Sequence, residues 1–306
     1  VAYYFPRVVD DVFISLRYAE NLVRGQGAVY NHGERVEGYS SPAWMLVQAL
    51  GVACGFEPVT FTKIVGVACL LATAFGARAV AAELYGARGL AALIPAVGCA
   101  VNSYLVDWTV LGLETPLHVA AIVLCPLAVH RSMTRSSRRA AALAALALVV
   151  LGTSRPESAL YVLVNVAAPL AQARDREDLA RIVRRQAPIA IGAGGVLGAL
   201  LALRYAYYGE LVPNTYFVKG AHSSFDLAKL AALWQEGASP FEAAVYAGGS
   251  LALLGYSVRR RAVAPALSLL VCLYFTAKVA VDWMPSLRHL LPVTVLAPIG
   301  AACVVD

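Results

Sequence analysis

Charge is scarce in this chain. Only 14% of its 306 residues are Asp, Glu, Lys or Arg, against 59% hydrophobic residues, and the mean hydropathy is strongly positive. Soluble domains are nearer a quarter charged and half apolar, so a soluble globular fold is excluded. Other absences narrow the field. Apolar residues run continuously instead of alternating, so strand signals are missing. The six cysteines stand singly in apolar segments and form neither a CxxC pair nor a disulfide framework. There is no Gly-x-Ser-x-Gly, no P-loop and no His-Glu-x-x-His. The glycines at 192–198 have the wrong spacing for a dinucleotide fingerprint and no strand before them. Gly194 and Gly198 are expected to serve close helix packing. No signal peptide is visible, and a start at Val1 with a stop at the end of an apolar run, at Asp306, reads as a piece of something longer.

What is present is a series of apolar runs, several approaching the ~20 residues that cross a bilayer as helix. They cover residues 43–56, 61–84, 90–106, 116–130, 140–153, 161–173, 187–208, 241–258, 262–281 and 290–305. The expected fold is an all-α polytopic membrane protein. The net charge of +6 does not indicate nucleic acid, because the basic residues cluster in short loops at 131–139, 174–185 and 259–261. The positive-inside rule places those loops in the cytoplasm. Counting spans from them puts residues 107–115, 154–158, 208–240 and 282–289 on the outer side. The head, residues 1–42, joins them only if the short run 43–56 lies in the interface without crossing. Residues 1–42 are therefore expected to form an extracytoplasmic acidic loop with a juxtamembrane helix, and residues 43–306 a transmembrane module.

With that topology every unusual polar cluster falls on one face. They are Asp10, Asp11 and Arg17; Glu34, Glu37 and Tyr39; Asp107, Trp108 and Glu114; Arg155 and Glu157; Asn214, Tyr216 and Lys219; and Asp282, Trp283, Arg288 and His289. Ionisable groups at the ends of membrane helices are costly unless they pair or act. Carboxylates mixed with cations suit an anionic, hydroxyl-rich ligand such as a sugar joined through phosphate to a lipid. Two neighbouring carboxylates repel each other's charge, which makes either a stronger base toward a sugar hydroxyl. Helix capping would account for one aspartate of the doublet. The doublet could also hold a divalent ion, although no histidine or further carboxylate at a fixed spacing accompanies it. Lys219 and Arg288 are candidates to neutralise a departing phosphate; snorkelling to the interface is the plainer alternative for each. His118 and His130 are expected to be structural.

Six stretches, in order and spanning nearly the whole chain, carry a family resemblance. They are DDVFISLRYA at 10–19 with Asn21 and Leu22, GERVEGY at 33–39, GLETPL at 112–117, SRPE at 154–157, YYGELVPNTY at 207–216, and DWMP at 282–285 with Arg288. Together they resemble the GT-C superfamily of polytopic glycosyltransferases that use polyprenyl-phosphate sugars, and within it the mycobacterial group that adds terminal β-(1→2)-arabinofuranose to arabinan. Val281 and His289 depart from that group's glycine and aromatic. So do the missing first helix ahead of the acidic motif and the missing outer domain after the last helices.

The resemblance implies a helix bundle whose extracytoplasmic loops form the active site, with Asp10 and Asp11 as catalytic centre. It implies a cell-membrane enzyme facing outward, with a polyprenyl-phosphate-sugar donor, a cell-envelope glycan acceptor and no organic cofactor. Arg17, Glu37, Tyr39, Glu114, Arg155, Glu157, Asn214, Tyr216, Lys219, Asp282, Trp283 and Arg288 are the expected substrate-binding set. A flippase for lipid-linked sugars, or a non-catalytic envelope-assembly paralogue, would use the same groove without a base; no internal repeat of the transporter kind is found.

Overall fold

A computed structural model describes residues 7–135, 137–220, 225–228, 230–231, 238–278 and 288–306, with the side chains of 218–220 excepted. Among these residues the chain is helical and contains no strand. The helices are α1 (Val12–Val23), α2 (Pro42–Ala53), α3 (Pro58–Tyr85), α4 (Ile94–Val101), α5 (Ser103–Val110), α6 (Thr115–Arg135), α7 (Arg138–Ser154), α8 (Ser158–Ala167) and α9 (Arg176–Tyr208). They continue with α10 (Asn214–Gly220), α11 (Pro240–Arg260), α12 (Ala264–Lys278) and α13 (Leu291–Val305). Short 3-10 turns precede α4 and α13 and extend α8 through Gln172.

By length and hydropathy α3, α6, α9 and α13 with its leading turn can each cross a membrane, and α4 with α5 can form one broken span bent by 53°. This is a multi-pass membrane protein. The bend corrects the reading of 90–106 as one continuous run, and Asn102 explains it. Its backbone is extended, its Oδ1 accepts from Leu105 N at 3.0 Å, and its Nδ2 donates to Thr294 on α13 at 2.7 Å. A capping side chain starts a new helix where a continuous one would otherwise run. A second correction concerns 174–185, which is mostly the first three turns of α9 and not a loop, capped by Asp175 on Asp178 N at 2.8 Å.

The basic segments gather at one end. Arg131 bonds Glu83 at 2.9 Å, Arg185 donates to the carbonyl of Met133, and Arg261 donates to the carbonyl of Ala173 at 3.0 Å. The opposite end collects the polar segments. Both ends of α2 meet that polar end: Trp44 Nε1 donates to Gly112 O at 2.9 Å, while Gly51 packs under the ring of Phe61. Twelve residues of helix reach about 18 Å, short of the ~30 Å hydrocarbon core. In this structure α2 lies across the end of the bundle.

Close crossings rest on glycine. A Cβ at Gly300 would meet Gly249 O at 2.0 Å, and one at Gly249 would meet Ala297 O at 2.4 Å, so α11 and α13 touch backbone to backbone. Gly66 gives α3 the same access to Thr109 O on α5. Gly194 and Gly198 do not behave this way. A Cβ at either meets nothing within 4 Å among the described residues, which corrects the expectation of close helix packing there: Ala193 and Leu197 turn toward the bundle, and the face with Gly194 and Gly198 turns away from it.

Candidate active site

The doublet sits in the turn that starts α1. Asp10 is exposed and Asp11 half-buried. Asp10 Oδ1 accepts from the backbone N–H of Asp11 at 3.0 Å. Asp11 occupies the N-cap position, yet its side chain makes no capping bond. The first amides of α1 are satisfied by backbone carbonyls instead, Phe13 N to Asp10 O at 2.9 Å and Ile14 N to Asp11 O at 3.2 Å. Capping therefore does not account for the Asp11 carboxylate, while that of Asp10 accepts one backbone N–H at the helix start.

Three ties hold the segment leading into the doublet. Val9 N donates to Leu111 O at 3.5 Å, Arg7 pairs with Asp107 at 3.5 Å, and the buried Lys63 donates through Nζ to Arg7 O at 2.6 Å. Behind it, Val12 presses on Gly112. A Cβ there would come within 2.9 Å of Val12 Cγ2, and φ is +87°, so both space and backbone demand glycine. The doublet thus lies against residues 107–114.

At the far end of that segment, Glu114 anchors a buried ionic cluster. Its Oε1 accepts from Arg155 Nη1 at 3.2 Å and from Arg288 Nη2 at 2.8 Å, and Arg155 Nε reaches Glu157 at 2.6 Å. The Arg288 guanidinium also lies over the Trp108 ring at 5.1 Å. The side chains are 7% exposed at Glu114, 12% at Arg155 and 8% at Arg288. Burial alone would push the Glu114 carboxyl up, but Arg288 and Arg155 outweigh it and hold the group below its ordinary value. Glu157 is likewise subject to burial, and Arg155 overrides it to bring the carboxyl down to about 2. Below this layer, His118 Nδ1 bonds Ser154 Oγ at 2.9 Å, fixing the turn that presents Arg155. His118 is structural, as its place in an apolar helix suggested.

Glu37 and Tyr39 belong to a second knot, beside the middle of α1. Glu37 forms a two-pronged pair with Arg204 of α9, at 3.0 and 2.9 Å. Its burial outweighs the guanidinium, so the carboxyl is raised. Tyr39 bonds Tyr208 at 3.2 Å, and burial pushes its phenol up to about 12. Asn214 N donates to Glu37 O at 3.0 Å. This knot clamps residues 36–39 to α9 and α10, and places Glu37 and Tyr39 in a group separate from the Glu114 cluster. Arg17 is also not drawn into either cluster; its Nε donates to Tyr30 O at 3.4 Å on the exposed side of α1. Tyr216 is exposed on α10. Lys219 falls on the same helix, but its side chain lies outside the described residues, as do Asp282 and Trp283.

Sequence reasoning missed Lys63 and Arg204. Arg204 is the one cation of its apolar run and Lys63 one of two in its own, the signal that should have drawn attention. Among the described residues no group of three or more His, Cys, Asp or Glu side chains could hold a metal ion.

No protein-family model matches the chain. A terminal beta-(1->2)-arabinofuranosyltransferase from Mycobacterium tuberculosis is 32% identical over 233 residues, which is 70% of this chain and 35% of that protein. The chain thus spans about a third of the length of that relative. The crystal structure of ArnT from Cupriavidus metallidurans in the apo state superposes with a TM-score of 0.68 at 14% identity, covering 98% of this chain and 57% of that one. Its form bound to undecaprenyl phosphate gives 0.65 at 13% identity, over 98% and 58% of the two chains. The chain thus has the fold of ArnT and is similar over 70% of its length to the mycobacterial arabinofuranosyltransferase.

Proposed function

We propose that the chain is the membrane module of an inverting glycosyltransferase that takes a sugar from a polyprenyl-phosphate carrier. The observation that carries this reading is the Asp10–Asp11 doublet. The Asp11 side chain makes no capping bond, the Asp10 side chain is exposed, and the segment before them is tied to residues 107–114 at one end of the bundle. ArnT bound to undecaprenyl phosphate supports a carrier of that chemistry. The mycobacterial relative supports arabinofuranose as the sugar, and this reading takes a cell-envelope glycan as the acceptor.

In this reading one carboxylate of the doublet takes the proton of the acceptor hydroxyl. The oxygen attacks the anomeric carbon from the face opposite the phosphate. The carbon–oxygen bond to phosphate breaks, and polyprenyl phosphate leaves with the electron pair. Lys219 and Arg288 neutralise that leaving charge, with Glu114 fixing the aim of Arg288. Arg155 and Glu157 complete the ionic floor, while Asn214, Tyr216, Asp282 and Trp283 border the sugar. Base catalysis contributes roughly 10²–10⁴-fold, and the rest comes from alignment and charge stabilisation. Residues 1–42 form the acidic outer loop and residues 43–306 the membrane module. The doublet faces the extracytoplasmic side, since the arginine-rich end lies opposite.

The test is to incubate the full-length protein with a panel of polyprenyl-phosphate sugars and synthetic glycan acceptors. Release of polyprenyl phosphate coupled to glycan extension is expected. Movement of intact donor across the bilayer without release would instead identify a flippase.

A further inference from the structure

Lys63 is a buried cation in a membrane helix. It sits in the second turn of α3, which is long and apolar enough to cross a bilayer, and is 5% exposed. A lysine this close to a helix end usually snorkels toward water. Here the side chain turns inward, and its Nζ donates to Arg7 O at 2.6 Å. An ionisable group inside a membrane helix is expensive, and its default reading is functional.

The accepting carbonyl lies three residues ahead of Asp10, in a segment with no helix or strand of its own. Of the three ties described for that segment, two are weak. Val9 N to Leu111 O and Arg7 to Asp107 are both 3.5 Å, at the long limit for a hydrogen bond. The Arg7 side chain is also 53% exposed, where an ion pair contributes little. The Lys63 bond is short, charge-assisted and buried, which makes it the strongest of the three. The adjacent Thr62 reaches the other side of the doublet. A Cβ on Gly112 would stand 3.7 Å from Thr62 Oγ1 and 2.9 Å from Val12 Cγ2, so Gly112 meets α3 and α1 together. The second turn of α3 thus supports the doublet from in front, through Lys63, and from behind, through Thr62 and Gly112.

We propose that Lys63 is a positioning residue for transfer. By fixing the carbonyl of residue 7 it sets where Asp10 and Asp11 stand relative to Glu114 and Arg288, without itself touching substrate. This role presupposes the transferase chemistry proposed above. A reacting group displaced by about 1 Å loses about 10²-fold in rate. The donor is held by other groups, so the effect falls on kcat and leaves KM alone.

Steady-state kinetics of the full-length protein with a polyprenyl-phosphate sugar and a glycan acceptor test it, paired with hydrogen exchange at residues 7–9. Lys63→Met keeps the length of the stem and removes the donors. It should lower kcat about 10- to 100-fold, leave the donor KM near that of the parent, and speed exchange at residues 7–9. Lys63→Arg restores a cation with hydrogens to donate and should recover most of the lost kcat. Arg78→Met, at the other and exposed cation of α3, should change none of these. Unchanged kcat in Lys63→Met would overturn the assignment, as would a raised donor KM at constant kcat. Equal losses in both Lys63 variants with a lowered unfolding midpoint would overturn it too. Exchange needs no turnover, so unchanged exchange at residues 7–9 counts against Lys63 whatever the activity. A parent that transfers no sugar, while Lys63→Met exchanges faster, would keep the tie and sink the transferase reading.

Discussion

Replacing Glu114 by Gln removes one negative charge from the centre of the buried cluster while keeping its shape and an acceptor oxygen. Glu114 receives hydrogen bonds from Arg155 at 3.2 Å and Arg288 at 2.8 Å. At an effective dielectric of about 20, unit charges roughly 3 Å apart attract by about 5 kcal/mol before desolvation is counted. Breaking a buried pair by deleting one partner costs about 3–5 kcal/mol, because the surviving charge keeps its desolvation penalty. Arg155 retains Glu157 at 2.6 Å, and glutamine retains a hydrogen bond, so the loss should fall near 3 kcal/mol. Reversible unfolding in mixed micelles measures it. The double variant Glu114→Gln/Arg288→Gln should lose clearly less than the sum of the two single changes, since it removes a charge that the first change strands. A Glu114→Gln protein within about 0.5 kcal/mol of the parent, or strictly additive losses, would refute the reasoning.

Three further outcomes follow from the same geometry. Gly300→Ala should disrupt folding severely, because its Cβ would fall 2.0 Å from Gly249 O and both sides are backbone; yield of folded protein in detergent reads this, with Gly194→Ala as the neutral control. The Glu157 carboxyl is held at about 2, below its ordinary 4.5. Its stabilisation should be complete above pH ~4.5 and be lost as pH falls toward 2, and Glu157→Gln should flatten that part of the stability profile. Arg204→Gln strands Glu37 in a buried site and should loosen residues 36–39, read as faster hydrogen exchange at Gly38; unchanged exchange would contradict the clamp.

Much of the architecture was legible because lipid leaves the backbone no partner but itself. Long apolar runs therefore had to be helices, and the arginine-rich segments had to share an end. The misreadings have local causes. Asn102 breaks a run whose hydropathy is continuous, because a single side chain can start a helix without changing the average. Gly194 and Gly198 carry the spacing of a packing motif, but spacing does not say which face of α9 meets the bundle. Within the site, the sequence pointed to Glu114, Arg155, Glu157 and Arg288, since each is a charge at the end of a membrane run. It did not reveal that one carboxylate gathers both arginines. Nor did it separate Glu37 and Tyr39 from the doublet, because their partners, Arg204 and Tyr208, lie more than 160 residues away. Lys63 was hidden in the same way, inside an apolar run whose average it barely lowers.

The central claim is that the doublet does chemistry and does not merely support the fold. The direct measurement is transfer by full-length Asp10→Asn and Asp11→Asn proteins, alongside their binding of a polyprenyl-phosphate sugar. At least one substitution should abolish coupled release of polyprenyl phosphate while donor affinity and unfolding midpoint stay near those of the parent. Full transfer activity in both variants would contradict the account.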